Sequence, residues 1–387
     1  MSDANRVQIK AVKEVTYATT PATPTMKVSR ITGETLGQDT QSTSSQELRS
    51  DRQVSALIQT GISAAGDLNI EWSNDTYDDF LESALQSAAW TTPATTLSAS
   101  IAMANVAGIT WTLTGTGVGT TFPVGSVGKW LNLTCAGTPA INGVYKIIGH
   151  TSATVITVLG AQGAAVSSTP MGCSEMSQLV NGTTFSSFTI QKQYVDLSNT
   201  FAIYRGAAPS GFTITVAPDQ IVTGSFSFIA TKETSGTSDL ATTTTPATTT
   251  QPWNGITNVV YVYDDLTVLP ITAFNMALNN NLRPRLQVGT LGAISIGSGT
   301  VDITGGCSGY FTDTTQMAKF LADTVTSISV VFKDAAGKYY VFDMPSVKFS
   351  AGRRVASGIN TDVVQELSFT SFLDATELIT LRVAKSA

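Results

Sequence analysis

Few residues in this chain have the types and spacing that chemistry requires. His150 is the only histidine in 387 residues, so a Ser-His-Asp hydrolase would have to use it. No Asp or Glu occurs between Leu97 and Ser174, so the ring has no local carboxylate to orient it. Cys135, Cys173 and Cys307 show no CxxC spacing, and scattered thiols with one imidazole do not make a zinc set. Their odd number argues against a disulfide framework, so they are expected as small buried thiols. "GTGVGT" at 115–120 resembles a phosphate loop but lacks the following Lys-Ser/Thr and a βαβ setting, so it is expected as strand and turn. Asp78-Asp79 and Asp264-Asp265 are adjacent in sequence, which says nothing of the separation a glycosidase pair needs. A helix N-terminus and a solvated turn are their expected settings. Arg49/Arg52, Arg283/Arg285 and Arg353/Arg354 have donors suited to phosphate, yet their recurrence along the chain suggests structural or interface ion pairs. No catalytic residue, metal or cofactor is expected.

The composition agrees. Lys and Arg total 22 against 28 Asp and Glu, a formal charge of −6, which gives no basic face for gripping nucleic acid. Only 13% of residues are charged and 42% are hydrophobic, as in a chain that buries surface against copies of itself. The opening "MSDANRVQIKAVKE" has no apolar segment, so no signal peptide is expected. No apolar run approaches the roughly 18 residues of a membrane span.

Most of the chain alternates as strands do. In "GDLNIEW", Leu68, Ile70 and Trp72 fall on one face and Asp67, Asn69 and Glu71 on the other. Residues 74–90 differ: Tyr77, Phe80, Leu81, Ala84 and Leu85 form one helical stripe. Asn74 or Asp75 is the expected N-cap, and Trp90 and Pro93 end the helix. Residues 1–35 are expected as an extended N-terminal arm suited to docking on a neighbour, 97–175 as an all-β insert between "TTPATT" and "SSTPMG", and 241–252 as a Thr-rich linker.

An internal repeat organises the rest. Leu48-Arg49 pairs with Leu282-Arg283, Gly66 with Gly299, Ile70 with Ile303, and Phe80-Leu81 with Phe320-Leu321. "FTIQKQY", "FAIYRG" and "GSFSFIA" then correspond to "SISVVFKD", "YYVFDMP" and "ELSFTSF". The expected fold is mainly β: two β-sandwich or barrel units, 36–96 with 176–240 and 253–387, each with one helix, the second at 314–323. The insert interrupts the first unit.

"TYATTPATP", "ELRSDRQV…AAGDLNIEWSNDTYDDFLESAL", "LNNNLRPRLQVG", "FKDAAGKYYVFDMPSVKFS" and "DVVQELSFTSFLDA" resemble a siphophage major tail tube protein. The resemblance covers most of 14–95 and 185–387; the insert is similar to small β modules that decorate phage tails. It implies a structural virion protein of the tail that self-assembles in the host cytoplasm into stacked rings. The rings would meet tape measure, terminator and tip proteins and pass DNA without specific binding. With two units per chain, three chains would make a pseudo-sixfold ring; six chains are the alternative. A lumen for DNA should be polar with an acidic bias, so Asp67, Asn69, Glu71 and Asp302 are expected to face it. The competing reading is a carbohydrate- or receptor-binding tail protein, for which Trp111, Trp130 and Tyr145 would have to be exposed.

Overall fold

The computed structural model describes residues 2–93, 96–116, 122–265, 267–356 and 358–386. The first unit begins with β1 (Val7–Lys13), β2 (Thr25–Ser29), β3 (Gly33–Glu34), β4 (Gly37–Ser44), β5 (Leu57–Glu71) and helix α1 (Asp78–Ala84). The insert follows as β6 (Thr96–Ala107), β7 (Thr110–Thr116), β8 (Trp130–Thr134), β9 (Gly143–Ser152), β10 (Val155–Leu159) and β11 (Val166–Glu175). The first unit resumes with β12 (Ser177–Val180), β13 (Phe188–Tyr194), β14 (Phe201–Val216), β15 (Thr223–Ala230) and β16 (Lys232–Gly236). After β17 (Thr243–Thr245) come β18 (Val259–Asp264), β19 (Thr267–Val268), β20 (Ala273–Asn279), β21 (Arg283–Arg285), β22 (Ser295–Gly297) and β23 (Asp302–Tyr310). Helix α2 (Thr315–Leu321), β24 (Thr326–Lys333), β25 (Tyr339–Ala356), β26 (Val363–Ser371) and β27 (Arg382–Lys385) complete the second unit.

The repeat is visible in the strand pairing. The antiparallel path β1–β13–β14–β15–β5 of the first unit recurs as β18–β24–β25–β26–β23 in the second. β3 and β4 flank β5 as β20 flanks β23. Even the bulge recurs, between Pro209 and Gly211 on β14 and between Phe349 and Ala351 on β25, and bulges re-aim strands in a way that alternation does not record. The register corrects one sequence correspondence. Phe228 faces Gly66 as Phe369 faces Gly305, so Gly66 matches Gly305, not Gly299, and Ile303 matches Ala64, not Ile70. The shift is even, so every side chain keeps its face, and alternation alone cannot detect it.

Helix α1 packs its stripe on this sheet. Phe80 meets Phe188, Phe226 and Phe228 with ring centroids 5.0, 5.5 and 5.3 Å away. Its N-cap is Tyr77, without a side-chain cap bond, and not Asn74 or Asp75. Asn74 instead accepts from Trp253 Nε1 at 2.8 Å, and Asp75 pairs with Lys385; both are used to join the two units.

Residues 1–35 pair within their own chain. In "VQIKAVK" Ile9 and Ala11 alternate into the core while β1 pairs with β13, so this part of the expected arm is a sheet strand. β2 takes β1 on one side and, in parallel, β17 of the Thr-rich stretch on the other. That stretch is held by polar contacts, Thr248 Oγ1 to Thr76 Oγ1 at 2.7 Å and Arg30 to the Thr250 carbonyl, which is why it folds without apolar residues.

The insert closes as a six-stranded barrel in the order β10-β7-β6-β11-β8-β9, with its own core of Ile101, Leu113, Leu133, Tyr145, Ile147 and Ile156. It leaves the first unit but rests on the second. Trp130 and Val144 share a buried cluster with Tyr263, Val331 and Val341. At its centre fully buried Asp343 accepts from Ser329 Oγ (2.7 Å), Lys146 Nζ (2.9 Å), Trp130 Nε1 (3.2 Å) and Arg382 Nη1 (3.3 Å).

Candidate functional site

One continuous antiparallel sheet runs through both units in the order β4–β5–β15–β14–β20–β23–β26–β25. Alternation gives it two unlike faces. The inner face carries Leu68, Phe226, Phe212, Leu278, Ile303 and Phe369, all buried. The other face is polar, and its side chains fall in cross-strand rows. Asp67, Ser227, Gly211, Asn279 and Asp302 are successive partners across five strands. Asn69, Ser225, Thr213, Ala277, Thr304 and Thr370 make the next row, and Glu71, Thr223, Thr215, Asn275, Gly306 and Ser368 the one after. The four residues singled out from sequence, Asp67, Asn69, Glu71 and Asp302, thus lie on one face, with Asp67 and Asp302 in one row. Between them stand mostly hydroxyls, amides and small residues.

The sequence profile of the phage tail tube protein family matches residues 4–371. The chain belongs to that family. No curated protein matches it. As a structural tail tube protein it is a component of the virion tail, and no helix among its described residues is long and apolar enough to cross a membrane.

The residues weighed for chemistry sit elsewhere in this tail tube protein. His150 Nε2 lies 3.1 Å from the Phe122 carbonyl oxygen. Of "GTGVGT", Gly115 and Thr116 end β7 and 117–120 lie outside the described residues. Asp264 does not sit in a solvated turn: it is fully buried, holding Lys319 of α2 at 2.7 Å and accepting from Thr326 Oγ1. Asp78 bonds Tyr340 and Lys385 of the second unit. Trp111, Trp130 and Tyr145 are buried, each donating to an internal acceptor: Gly160 O, Asp343 and Ile141 O. They do not form an exposed sugar-binding cluster. A groove of about 570 Å³ is lined by residues including Arg6, Ser29, Glu71 and Tyr77 and by no histidine or cysteine. Among the described residues no three His, Cys, Asp or Glu side chains are grouped to hold a metal.

The three cysteines are free and buried. Burial, with smaller contributions from Glu175 and Asp264 respectively, pushes Cys173 and Cys307 up to about 12. Because the thiolate is the reactive form, native protein at pH 8 is expected to leave both unmodified by iodoacetamide while denatured protein takes up label, as read by mass spectrometry.

Sequence reasoning missed the two hairpin tips. Residues 45–56 join β4 to β5, and 280–301, carrying the β21–β22 pair, join β20 to β23. β4 and β20 run in the same direction, so both tips project from one end of the sheet. Leu48 and Val288 are 100% exposed there. Arg49 pairs with Asp51 at 2.8 Å, and Arg283 donates to the Ser298 carbonyl at 3.3 Å. The repeated Leu-Arg pair was only a partial signal, since Leu282 is half-buried. The exposed apolar residues are grouped instead, Leu48 and Val54 on one tip and Leu286, Val288 and Leu291 on the other, and grouped exposed apolar side chains mark an interaction surface.

Proposed function

We propose that the chain assembles with copies of itself into stacked rings whose bore conducts DNA, three chains closing each pseudo-sixfold ring. The observation that carries this is the single eight-stranded sheet built from two repeats, polar on one face and open at both lateral edges. A closed ring removes such edges, and three copies of two units satisfy a sixfold arrangement. In this reading the rows from Asp67 to Asp302 line the bore. Hydroxyl, amide and carboxylate groups dominate these rows. The two cations that continue the face on β25, Lys348 opposite Thr370 and Arg353 opposite Glu366, are each paired with a carboxylate, Asp323 and Glu366. DNA therefore meets little of the salt-dependent grip that free Lys and Arg contacts create. The apolar hairpin tips, all at one end, reach the ring above. Tape measure, terminator and tip proteins would meet the same surfaces, assembly would take place in the host cytoplasm, and the protein would have no catalytic role.

Electron microscopy of the purified protein or virion tests the reading: tubes of uniform diameter with threefold rings are expected, and six chains per layer would overturn the trimer. The lining is tested by Asp67→Cys and Asp302→Cys. In intact tubes both are expected to resist a thiol reagent too large for the bore and to react with a small one. Rapid labelling along the outer wall by the large reagent would end this assignment.

A further inference from the structure

Within one chain the eight-stranded sheet crosses between the two units at one strand pair, β14–β20, while β12 of the first unit pairs separately with β27 of the second. β14 and β20 pair as Gly211 with Asn279, Thr213 with Ala277 and Thr215 with Asn275. The repeat supplies the counterpart of each strand, and both counterparts have an open edge. β25 corresponds to β14, with Ala351, Arg353 and Val355 in the places of Gly211, Thr213 and Thr215, as the shared bulge fixes. The β3–β4 segment corresponds to β20: Gly33 faces Asn69 as Ala273 faces Ser308, and Gly37 faces Ala65 as Ala277 faces Thr304. Among the described residues, β26 alone pairs with 351–356, and β5 alone pairs with β3 and β4.

We propose that a second copy of this chain docks its β3–β4 edge on residues 351–356, repeating the β14–β20 register, with Thr35 opposite Val355, Gly37 opposite Arg353 and Asp39 opposite Ala351. The proposal rests on the ring reading above and names its lateral contact. Three further observations support the occupant. The β25 segment carries Arg353, paired in-chain with Glu366, while the opposing edge carries exposed Asp39; Asp39 would lie diagonal to Arg353 on the same face, within reach of a long side chain. The in-chain joint also covers α1, where Asn280 donates to the Ala84 carbonyl at 2.7 Å and Tyr340 bonds Asp78. Its counterpart α2 has no such cover among the described residues. The matching helix ends, Gln86 N–H to the Ser83 carbonyl and Asp323 N–H to the Phe320 carbonyl, place Leu321 at the position of Ala84. Ala84 is 0% exposed, whereas Leu321 is 74% exposed. Finally, the free edge is blunted and not left bare. Leu36 N–H donates to its neighbour Glu34 at 2.9 Å, and its carbonyl accepts from Tyr204 at 3.0 Å. Docking exchanges these for strand bonds to Arg354, which leaves Gly37 and Arg353 as a non-hydrogen-bonded pair with side chains close together.

The double variant Gly37→Cys/Arg353→Cys tests the register, with Gly37→Cys/Val355→Cys as the displaced control. Directly opposite Cβ atoms lie within reach of a disulfide and diagonal ones do not. The native thiols are buried, so background is low. In oxidised tubes the first pair is expected to give a covalent ladder ending at three chains, and the control to stay monomeric. A ladder ending at six would keep this contact and overturn the trimer. Crosslinking of the control, or of neither pair in tubes seen by microscopy, would overturn the register. Should the cysteine variants not assemble, charge exchange decides: Asp39→Arg and Arg353→Asp are each expected to reduce tube yield severalfold and to restore it when combined. No restoration would overturn the contact.

Discussion

Asp343→Ala is expected to destabilise the folded chain by about 3–5 kcal/mol, the range for removing one partner of a buried ion pair. The carboxylate is wholly buried and serves four donors from three places: Ser329 on β24, Arg382 on β27, and Lys146 and Trp130 of the insert. Without it, buried Lys146 and Arg382 retain Glu377, 3.6 and 2.7 Å away, one carboxylate for two cations. Trp130 Nε1 loses its acceptor as well. Urea unfolding followed by tryptophan fluorescence measures the effect, and a loss below about 1 kcal/mol would show the cluster to be dispensable. The same site sets an acid limit. Burial pushes the Asp343 carboxyl up, but the charges of Lys146 and Arg382 and the Ser329 hydroxyl together hold it below the usual carboxylate range. A carboxyl lowered in the fold stabilises above its unfolded value, about 3.9, and that stabilisation is lost as pH falls through the lower folded value. Asp343→Asn should therefore show a flatter stability profile than the parent below about pH 4.

These contacts also revise the place of the insert. The insert was legible as a distinct segment because 97–174 lacks acids, a compositional change that any placement would share, although its "SSTPMG" bracket is not a turn: Pro170 lies within β11, opposite Ser100. Its docking was not, because Asp343 and Lys146 are far apart in sequence and ordinary in pattern. α1 was legible for the opposite reason: Phe80, Leu81, Ala84 and Leu85 are close together and periodic. The repeat was found through local similarity, yet its register required the Phe228–Gly66 and Phe369–Gly305 pairs, since an even slip changes no side chain's face. Asp264 read as a turn residue because the next residue, Asp265, does turn, with φ 55°; only α2 folding back over the sheet with Lys319 shows its burial. Of the candidate lining, the four acidic and amide residues were visible through alternation. The Thr, Ser and Asn residues that fill the rows between them carry no individual signal and acquire meaning only through cross-strand register.

The two helices offer the sharpest contrast between folding and assembly. Sequence similarity pairs Leu81 with Leu321, whereas the matching helix ends place Leu321 at the position of Ala84, the next buried residue along the same face of α1. Leu81→Ala is expected to cost about 2–5 kcal/mol of fold stability, as a buried leucine replaced by a cavity does. Leu321→Gln should change the stability of the free subunit by no more than about 0.5 kcal/mol, because its side chain is already in solvent. If a neighbouring copy covers α2 as the second unit covers α1, that leucine contributes about 1.5–3 kcal/mol at each lateral contact. Its loss then weakens each contact by about 10–100-fold. The protein concentration at which tubes form should rise correspondingly while the melting temperature of the monomer stays put, by light scattering and calorimetry on the same preparations. Equal assembly by parent and Leu321→Gln would mean that α2 remains in solvent within the tube, and that its joint to the next copy is not the in-chain joint repeated. A monomer melting well below the parent would mean instead that Leu321 belongs to the subunit's own core. Only the combination of an unchanged monomer and impaired assembly fits a helix whose missing cover is the next chain in the ring.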